Sequence, residues 1–318
     1  MFEGPANLIQ NSKNITLLTH KDAGKDGDAL GSLLSLTLFC SKIERENHPF
    51  LSDKIASNFL FLPGVDMLDK KFNEQTDLLI FLDCAEYKHG DFDKRVYNLI
   101  EKVPSILIDH HPKGDLSHFV KFQIHDLSAA STTELIYFLL TSFKANIDKD
   151  IATALLTGIL TDTSRFQNPN TTKKTFFVSS CLLSRGVRMD EIINHVFYMK
   201  SQGVLKLWGR ALLRLYKNQK YNLLISYLTE NDLKGSEIGK EEIDGIANFL
   251  NLNAKGDASA ILFLLGFDGK IKGSLRTTKD NIDVSRLARF LGGGGHQKAA
   301  GFEIEGKLKI ENQEFIIE

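Results

Sequence analysis

The sequence predicts an α/β protein: a parallel, doubly wound sheet, then a smaller α/β C-terminal domain, with a helical linker joining them. Three observations carry this expectation. Short, continuously apolar segments alternate with helix-like stretches through the first half, the pattern of a parallel sheet covered on both faces. At 318 residues the chain exceeds the usual size of a single domain. From about Tyr221 onward the texture changes to strand-like segments broken by glycine turns. The expected division is a first domain over 1–190, a linker over 191–219 and a second domain over 220–318.

The first expected strand is Ile15–Thr19 (ITLLT), followed by a loop rich in Gly and Asp and a helix over Ala29–Cys40. Leu78–Leu82 (LLIFL) and Ser105–Ile108 (SILI) are the next strands, apolar runs too short for helices. Helical patterns follow over Thr132–Phe143, Lys149–Leu160, Thr175–Ser184 and Asp190–Lys200. Val204–Lys217 has apolar residues at helical spacing, and Lys206, Arg210, Arg214 and Lys217 between them read as a solvated face. It is taken as the connector into the second domain. There, Asn222–Leu228, Ala258–Leu265 and Lys270–Arg276 read as strands, with a helix near Ile243–Leu252. Gly266-Phe267-Asp268-Gly269 supplies a hairpin turn. A helix over Asp283–Phe290 then leads into LGGGGHQKAAGFEI.

Composition narrows the classes of function. Apolar content of 42% and charged content of 25% are those of a globular chain with a sizeable core. Lys+Arg 39 against Asp+Glu 40 leaves a formal net charge of -1, which argues against tracking along long nucleic acid. A small phosphorylated ligand, held by a few local cations or metals, is not disfavoured. Cys40, Cys84 and Cys181 are far apart and make no C-x-x-C pair, so reduced, buried thiols are expected. MFEGPANLIQ lacks the basic and apolar regions of a signal peptide, and no apolar run approaches the roughly 20 residues that span a bilayer. A cytoplasmic protein without membrane contact is expected.

In doubly wound sheets the ligand site lies at the carboxyl ends of the strands. That edge is where this sequence concentrates its chemistry. Ile15–Thr19 runs into His20, with Asp26 and Asp28 in the next loop; Leu78–Leu82 runs into Asp83; Ser105–Ile108 runs into Asp109-His110-His111. The helix Lys149–Leu160 ends at Thr161-Asp162-Thr163. One aspartate after a strand is usually a cap or turn residue; several converging on one edge imply a metal centre. Oxygen and nitrogen ligands without thiolate suit manganese, and also iron, cobalt or zinc, better than calcium. Asp26-Gly27-Asp28 is read as extended loop whose alternate residues face one crevice.

Thr19-His20 with DGDALGS (Asp26–Ser32), Asp83, IDHHP (Ile108–Pro112) and GILTDT (Gly158–Thr163) resemble, in order, the four motifs of DHH phosphoesterases. GSLRT (Gly273–Thr277) and IDVSRLARFLGGGGHQKAAGF (Ile282–Phe302) resemble the DHH-associated domain with its GGGH signature. The resemblance runs from about residue 15 to 304 and implies a catalytic first domain and a substrate-binding second one. It implies two divalent metal ions, most suitably Mn2+, about 3.5–4 Å apart. His20 and Asp26 would hold one, Asp28, His110 and Asp162 the other, and Asp83 would bridge. Asp109 would orient His110 or a loop, and His111 would face the substrate phosphate. In the family the first Asp usually stands four residues after the His, whereas His20 and Asp26 have two extra residues between them. The loop must bulge, or Asp22 replaces Asp26; the intact DGDALGS favours Asp26.

On the substrate side, Gly292–Gly295 is either a flexible turn or an anion-binding nest of successive N–H groups. The resemblance makes Arg276, Gly293, Gly294, Gly295, His296 and Lys298 binding residues, with Arg165 a phosphate contact or a plain surface arginine. The compact layout resembles the nanoRNase and 3'-phosphoadenosine 5'-phosphate phosphatase branch. Its implied substrates are short RNA, linear dinucleotides such as pApA, or that bisphosphate. Cyclic-di-AMP phosphodiesterase or short single-strand DNA exonuclease are the alternatives within the family, and a nucleotide-sensing module the alternative outside catalysis. A homodimer is compatible with the sequence.

Overall fold

In the computed structural model the chain forms two units, Met1–Met199 and Lys200–Glu318. The residues described are 2–69, 71–90, 92, 94–198, 201–234, 243, 245–253, 258–311 and 314–317. The first unit runs α1 (Glu3–Asn11), β1 (Asn14–Thr19), α2 (Gly27–Lys42), β2 (Glu46–Phe50), β3 (Leu78–Leu82), α3 (Lys94–Ile100), β4 (Ser105–Asp109) and β5 (Phe122–His125). It continues with α4 (Thr132–Ser142), α5 (Lys149–Asp162), α6 (Lys173–Leu183) and α7 (Met189–Ile193).

The five strands pair in parallel in the order β2-β1-β3-β4-β5. The chain winds outward in one direction from β1 to β2 and in the other from β3 onward, which puts the topological switch point between β1 and β3. Register sets Thr19 opposite Leu82 and Leu82 opposite Ile108. His20, Asp83 and Asp109 therefore leave the sheet at nearly one level. Alternation divides the strands between two cores, as two covered faces require. Ile15, Leu17, Ile80, Ile106 and Ile108 pack with α2, α4 and α5. Leu18, Leu79, Phe81 and Leu107 pack with Val96 and Ile100 of α3.

Helices α2 and α5 approach closely because small residues face each other. A Cβ on Gly31 would lie 2.5 Å from the Ala154 carbonyl oxygen, and one on Gly158 would lie 2.4 Å from Thr133 Oγ1. This contact brings the start of α2 beside the end of α5. The helix expected over Asp190–Lys200 is α7 followed by a π turn at Asn194–Tyr198; residues 199–200 lie outside those described.

The second unit contains α8 (Gln202–Leu213), β6 (Tyr216–Asn218), β7 (Leu223–Leu228), α9 (Glu230–Leu233), α10 (Ile246–Asn253), β8 (Ala260–Phe267) and β9 (Lys270–Arg276). Then come α11 (Val284–Phe290), β10 (Gly294–Gly295), β11 (Ala299–Glu305) and a separate hairpin, β12 (Leu308–Glu311) with β13 (Glu314–Ile317). The sheet order is β10-β11-β9-β8-β7-β6, and only β7 and β8 run parallel. Asp268 and Gly269, at φ 45° and 73°, turn the β8–β9 hairpin with the twist such hairpins favour.

Helix α8, expected as part of a connector, packs with this unit: Leu207 and Ala211 join Leu228, Leu250 and Phe263 in its core. Its basic residues are not all solvated either. Arg214, which caps α8, makes a two-pronged ion pair with Asp232, Nη2 reaching Oδ1 at 2.9 Å. Cys40, Cys84 and Cys181 are free thiols. Among the described residues, no helix is long and apolar enough to cross a membrane.

Candidate metal centre

The β1–α2 loop absorbs its two extra residues in one turn of 3-10 helix, Ala23–Lys25, closed by Asp26 N donating to the Ala23 carbonyl. Asp26 thereby reaches the N-cap of α2, where it accepts from the Asp28 and Ala29 amides at 2.9 and 3.3 Å. Asp22 stays exposed. Asp26-Gly27-Asp28 is thus not extended loop. Asp28 already lies in the first helical turn, so the two carboxylates point to different neighbours. His20 Nε2 lies 3.7 Å from Asp26 Oδ2 and 3.9 Å from Asp83 Oδ2. Asp28 turns instead toward His110 and Asp162, and the three form a second group.

Asp83 follows β3 in left-handed backbone, φ 53°, a strained state for a residue with a Cβ. It belongs to both sides of the site. One group is His20, Asp26 and Asp83; another is Asp83, His110 and His111; in each, one ligand atom per residue lies within 4.8 Å of the others. Asp109, buried at the end of β4, accepts from the His111 amide at 2.8 Å and from His111 Nδ1 at 2.9 Å. Of the two expectations, His110 or a loop, these bonds serve the loop: Asp109 holds the His111 backbone and ring.

The donor set fits a divalent cation. His110 Nδ1 pairs with the Ala129 carbonyl at 3.3 Å, the usual support for a metal-ligating imidazole. Its Nε2 is buried without a hydrogen-bond partner. That atom faces Asp162 Oδ2 at 3.1 Å, Asp83 Oδ1 at 3.8 Å and Asp28 Oδ2 at 3.9 Å. A lone pair aimed at three carboxylates is unfavourable unless a cation, metal or proton, lies between them. Without metal, protons take that role. Burial and the neighbouring carboxylates push Asp28 well up. Burial, reinforced by Asp26 and Asp83, raises Asp162 to about 6. For His110 burial opposes charging, but Asp162, Asp28 and Asp83 outweigh it and raise the imidazole to about 9. Burial likewise opposes protonation of His111, and its hydrogen bonds to Asp109 and Asp83 raise it to about 11.

Residues 14–159 match the DHH family, N-terminal domain, and residues 220–317 match the DHHA1 domain. The chain belongs to the DHH family. Similar over nearly its whole length are two proteins named bifunctional oligoribonuclease and PAP phosphatase NrnA. That of Thermus thermophilus is 28% identical, covering 92% of this chain and 84% of its own. That of Bacillus subtilis is 28% identical, covering 91% and 89%. An uncharacterized protein of Mycoplasma genitalium is 30% identical, covering 94% and 89%. The crystal structure of an exopolyphosphatase-related protein from Bacteroides fragilis superposes with a TM-score of 0.87 at 25% identity, covering 98% of this chain and 92% of that one. Metal dependence is general to DHH phosphoesterases, and the acidic and imidazole groups of this DHH domain fit it.

The DHH domain also uses residues that the sequence reading passed over. The first turn of α4 grips Asp28: Thr132 and Thr133 amides donate at 2.6 and 2.9 Å, and Thr133 Oγ1 at 2.6 Å. A helix N-terminus is where a buried carboxylate is best accommodated. Thr132 Oγ1 donates to Asp83 Oδ1 at 2.9 Å, linking the two ligand groups. The available signal was Ser131-x-x-Glu134, a helix-start pattern in which Ser131 Oγ accepts from the Glu134 amide. Further on, Asn168 Nδ2 holds the Asp162 carbonyl at 2.8 Å. Arg165 lies against Phe197 and Tyr198, its Nη1 donating to the Tyr198 hydroxyl at 3.1 Å.

In the DHHA1 domain, Arg276 ends β9, with Nε donating to Asn248 Oδ1 at 2.5 Å. Lys298 is paired with Asp280 at 2.9 Å. The glycine run answers first to helix ending and close packing. Gly292, at φ 78°, and Gly293 donate to carbonyls of α11. Gly294 and Gly295 pair with Gly301 and Ala300 of β11. A Cβ on Gly293 would lie 2.1 Å from the Gly301 carbonyl oxygen. His296 is exposed, its amide donating to the Ala299 carbonyl at 2.8 Å. Fewer N–H groups are thus turned outward than an open nest would present.

Proposed function

We propose that this DHH-family chain is a metal-dependent phosphoesterase that hydrolyses short oligoribonucleotides, linear dinucleotides such as pApA, and 3'-phosphoadenosine 5'-phosphate. The observation that carries the reading is a pair of ligand groups, His20–Asp26–Asp83 and Asp28–His110–Asp162, with Asp83 and His110 3.8 Å apart between them. Two divalent ions, Mn2+ for this donor set, would be held there, Asp83 serving both. When bound, such ions supply an activated water and neutralise charge on the phosphoryl oxygens.

The chain's own groups do the rest. Asp109 fixes the His111 ring through Nδ1, and the same carboxylate favours the protonated imidazole. His111 then donates to a phosphoryl oxygen or to the leaving oxygen, where negative charge grows. Arg276, Gly293–Gly295, His296 and Lys298 of the DHHA1 domain are the groups assigned to the nucleotide. The choice of substrate is supported by the names of the Thermus thermophilus and Bacillus subtilis relatives, which are oligoribonucleases and PAP phosphatases.

The test is hydrolysis in Mn2+ of pyrophosphate, 3'-phosphoadenosine 5'-phosphate, pApA, cyclic-di-AMP and RNA of increasing length. Turnover of pApA, the bisphosphate or the shortest RNAs is expected. Turnover of pyrophosphate alone would overturn the reading, and preference for cyclic-di-AMP or indifference to ribose would move it to another branch of the family.

A further inference from the structure

One cluster beside the ligand groups has no part in holding metal. Ser164, Arg165 and Phe166, which follow Asp162 closely, all adopt left-handed backbone at φ 46°, 62° and 67°. None is glycine, so all three are strained, and such strain persists where a function requires it. The turn sets the Arg165 guanidinium 4.9 Å from the ring centre of Phe197 and 5.5 Å from that of Tyr198. Both aromatics sit on the π turn Asn194–Tyr198, a widened turn found mostly at functional positions.

The cluster is tied to the ligand loops at both ends. His195, on the same π turn, stacks on Phe61 with rings 4.5 Å apart and 13° from parallel. The loop carrying Phe61 is fastened by Ala56 N to the Gly24 carbonyl at 2.8 Å, and Gly24 lies between His20 and Asp26. Contacts therefore run from the His20–Asp26 loop through residues 56–61 and the π turn to Arg165, and return along the chain to Asp162. Within this rim Tyr198 is 63% exposed although Arg165 lies over its ring.

Exposed aromatics are common on protein surfaces. Here a strained turn, a π turn and a bracing cation all act to hold one ring outward. We propose that Tyr198 is the stacking platform for the base of the nucleotide whose phosphate lies at the ligand groups. Arg165 is its positioning residue, acting through the ring and not by gripping phosphate. The ligand class is an aromatic nucleobase without strong base preference, since every base offers a π face. This inference rests on the nucleotide-hydrolase reading given above.

The experiment titrates the full-length, Mn2+-loaded protein with AMP and with ribose 5-phosphate, which share sugar and phosphate and differ by the base. For Tyr198→Ala, AMP affinity is expected to fall about tenfold or more, the scale of base stacking on an aromatic ring. Ribose 5-phosphate affinity should change less than about twofold, a limit set by loss of the base contact alone. Tyr198→Phe keeps the ring but loses the hydroxyl that accepts from Arg165, so it should retain most of the AMP affinity that Tyr198→Ala loses. Arg165→Met should weaken AMP by a smaller factor and spare ribose 5-phosphate. Equal losses for both ligands, or none for AMP, in Tyr198→Ala would overturn the platform while pApA turnover by the parent protein still stood. A parent protein that turns over no nucleotide would overturn both.

Discussion

Asp83 and Thr132 differ in what the sequence reveals of them, and that difference sets what each substitution should do. Asp83 ends an apolar run, on the edge where doubly wound sheets build sites, so its candidacy is visible from the strand alone. In the structure it belongs to two of the three ligand groups. Asp83→Ala should therefore cost about 10³-fold or more in kcat in Mn2+, on the order of 4 kcal/mol of barrier. Full activity in the variant would sink the proposed arrangement. Thr132 carries no such mark, because its partner Asp28 lies 104 residues away and nothing local connects them. Its hydroxyl donates to Asp83. Thr132→Val should weaken Mn2+ binding about 10–100-fold, as losses of ligand-supporting hydrogen bonds do. Thr132→Ser, which keeps the donor, should restore it. A metal titration that finds Val and Ser alike would show that the hydroxyl is idle.

At the scale of elements, legibility followed burial. Strands β1, β3 and β4 occupy the middle of the sheet, face apolar neighbours on both sides and read as unbroken apolar runs. The strands at its two edges, Glu46–Phe50 and Phe122–His125, are half solvated. ENHPF even contains Pro49, which edges tolerate, and neither segment announced itself. Helix pairing was equally hidden, although its signals were in the motifs: Gly31 and Gly158 are the small residues that let α2 and α5 meet. Gly158→Ala would place a Cβ 2.7 Å from Asp28 Oδ1 as well as against Thr133. The expected result is a folded protein of lower stability whose Mn2+ affinity drops along with it; unchanged affinity would argue against this packing. In the second unit, Arg214 and Thr229 together hold the Asp232 carboxyl below its usual range although burial pushes it up. Asp232→Asn should cost roughly 1–3 kcal/mol, the worth of hydrogen bonds to a charged group. The sign with pH follows from a depressed folded-state value. The contribution is complete above the ordinary aspartate value of about 3.9 and is lost as pH falls through the lower folded one. Urea unfolding of parent and variant should therefore converge in acid; a constant gap across pH 3–7 would assign the loss to packing.

For the molecule as a whole, two units and their order were legible from texture, but the place of α8 was not, since helical spacing alone does not say which core a helix joins. Leu207 and Ala211 decide it by packing against the second unit. Charge, in contrast, is a property of the whole chain that the sequence states outright, and it bears directly on substrate length. Each phosphate neutralised by Lys or Arg releases counterions, and binding to long strands then weakens steeply with salt. Lys+Arg 39 against Asp+Glu 40 leaves no basic excess for such a track. Among the basic side chains of the second unit, Arg214 and Lys270 are already committed to Asp232 and Glu303. What attracts substrate should instead be local: metal ions, base stacking and the few groups assigned to the nucleotide. Catalytic efficiency should accordingly fall about tenfold or more between RNA of two to five nucleotides and a 24-mer. For the shortest substrates, the slope of log KM against log salt should correspond to roughly two phosphates. Kinetics across 50–200 mM salt measure both quantities. A long RNA turned over as fast as a dinucleotide, with a slope of about six phosphates or more, would require a basic track and would remove the short-substrate reading.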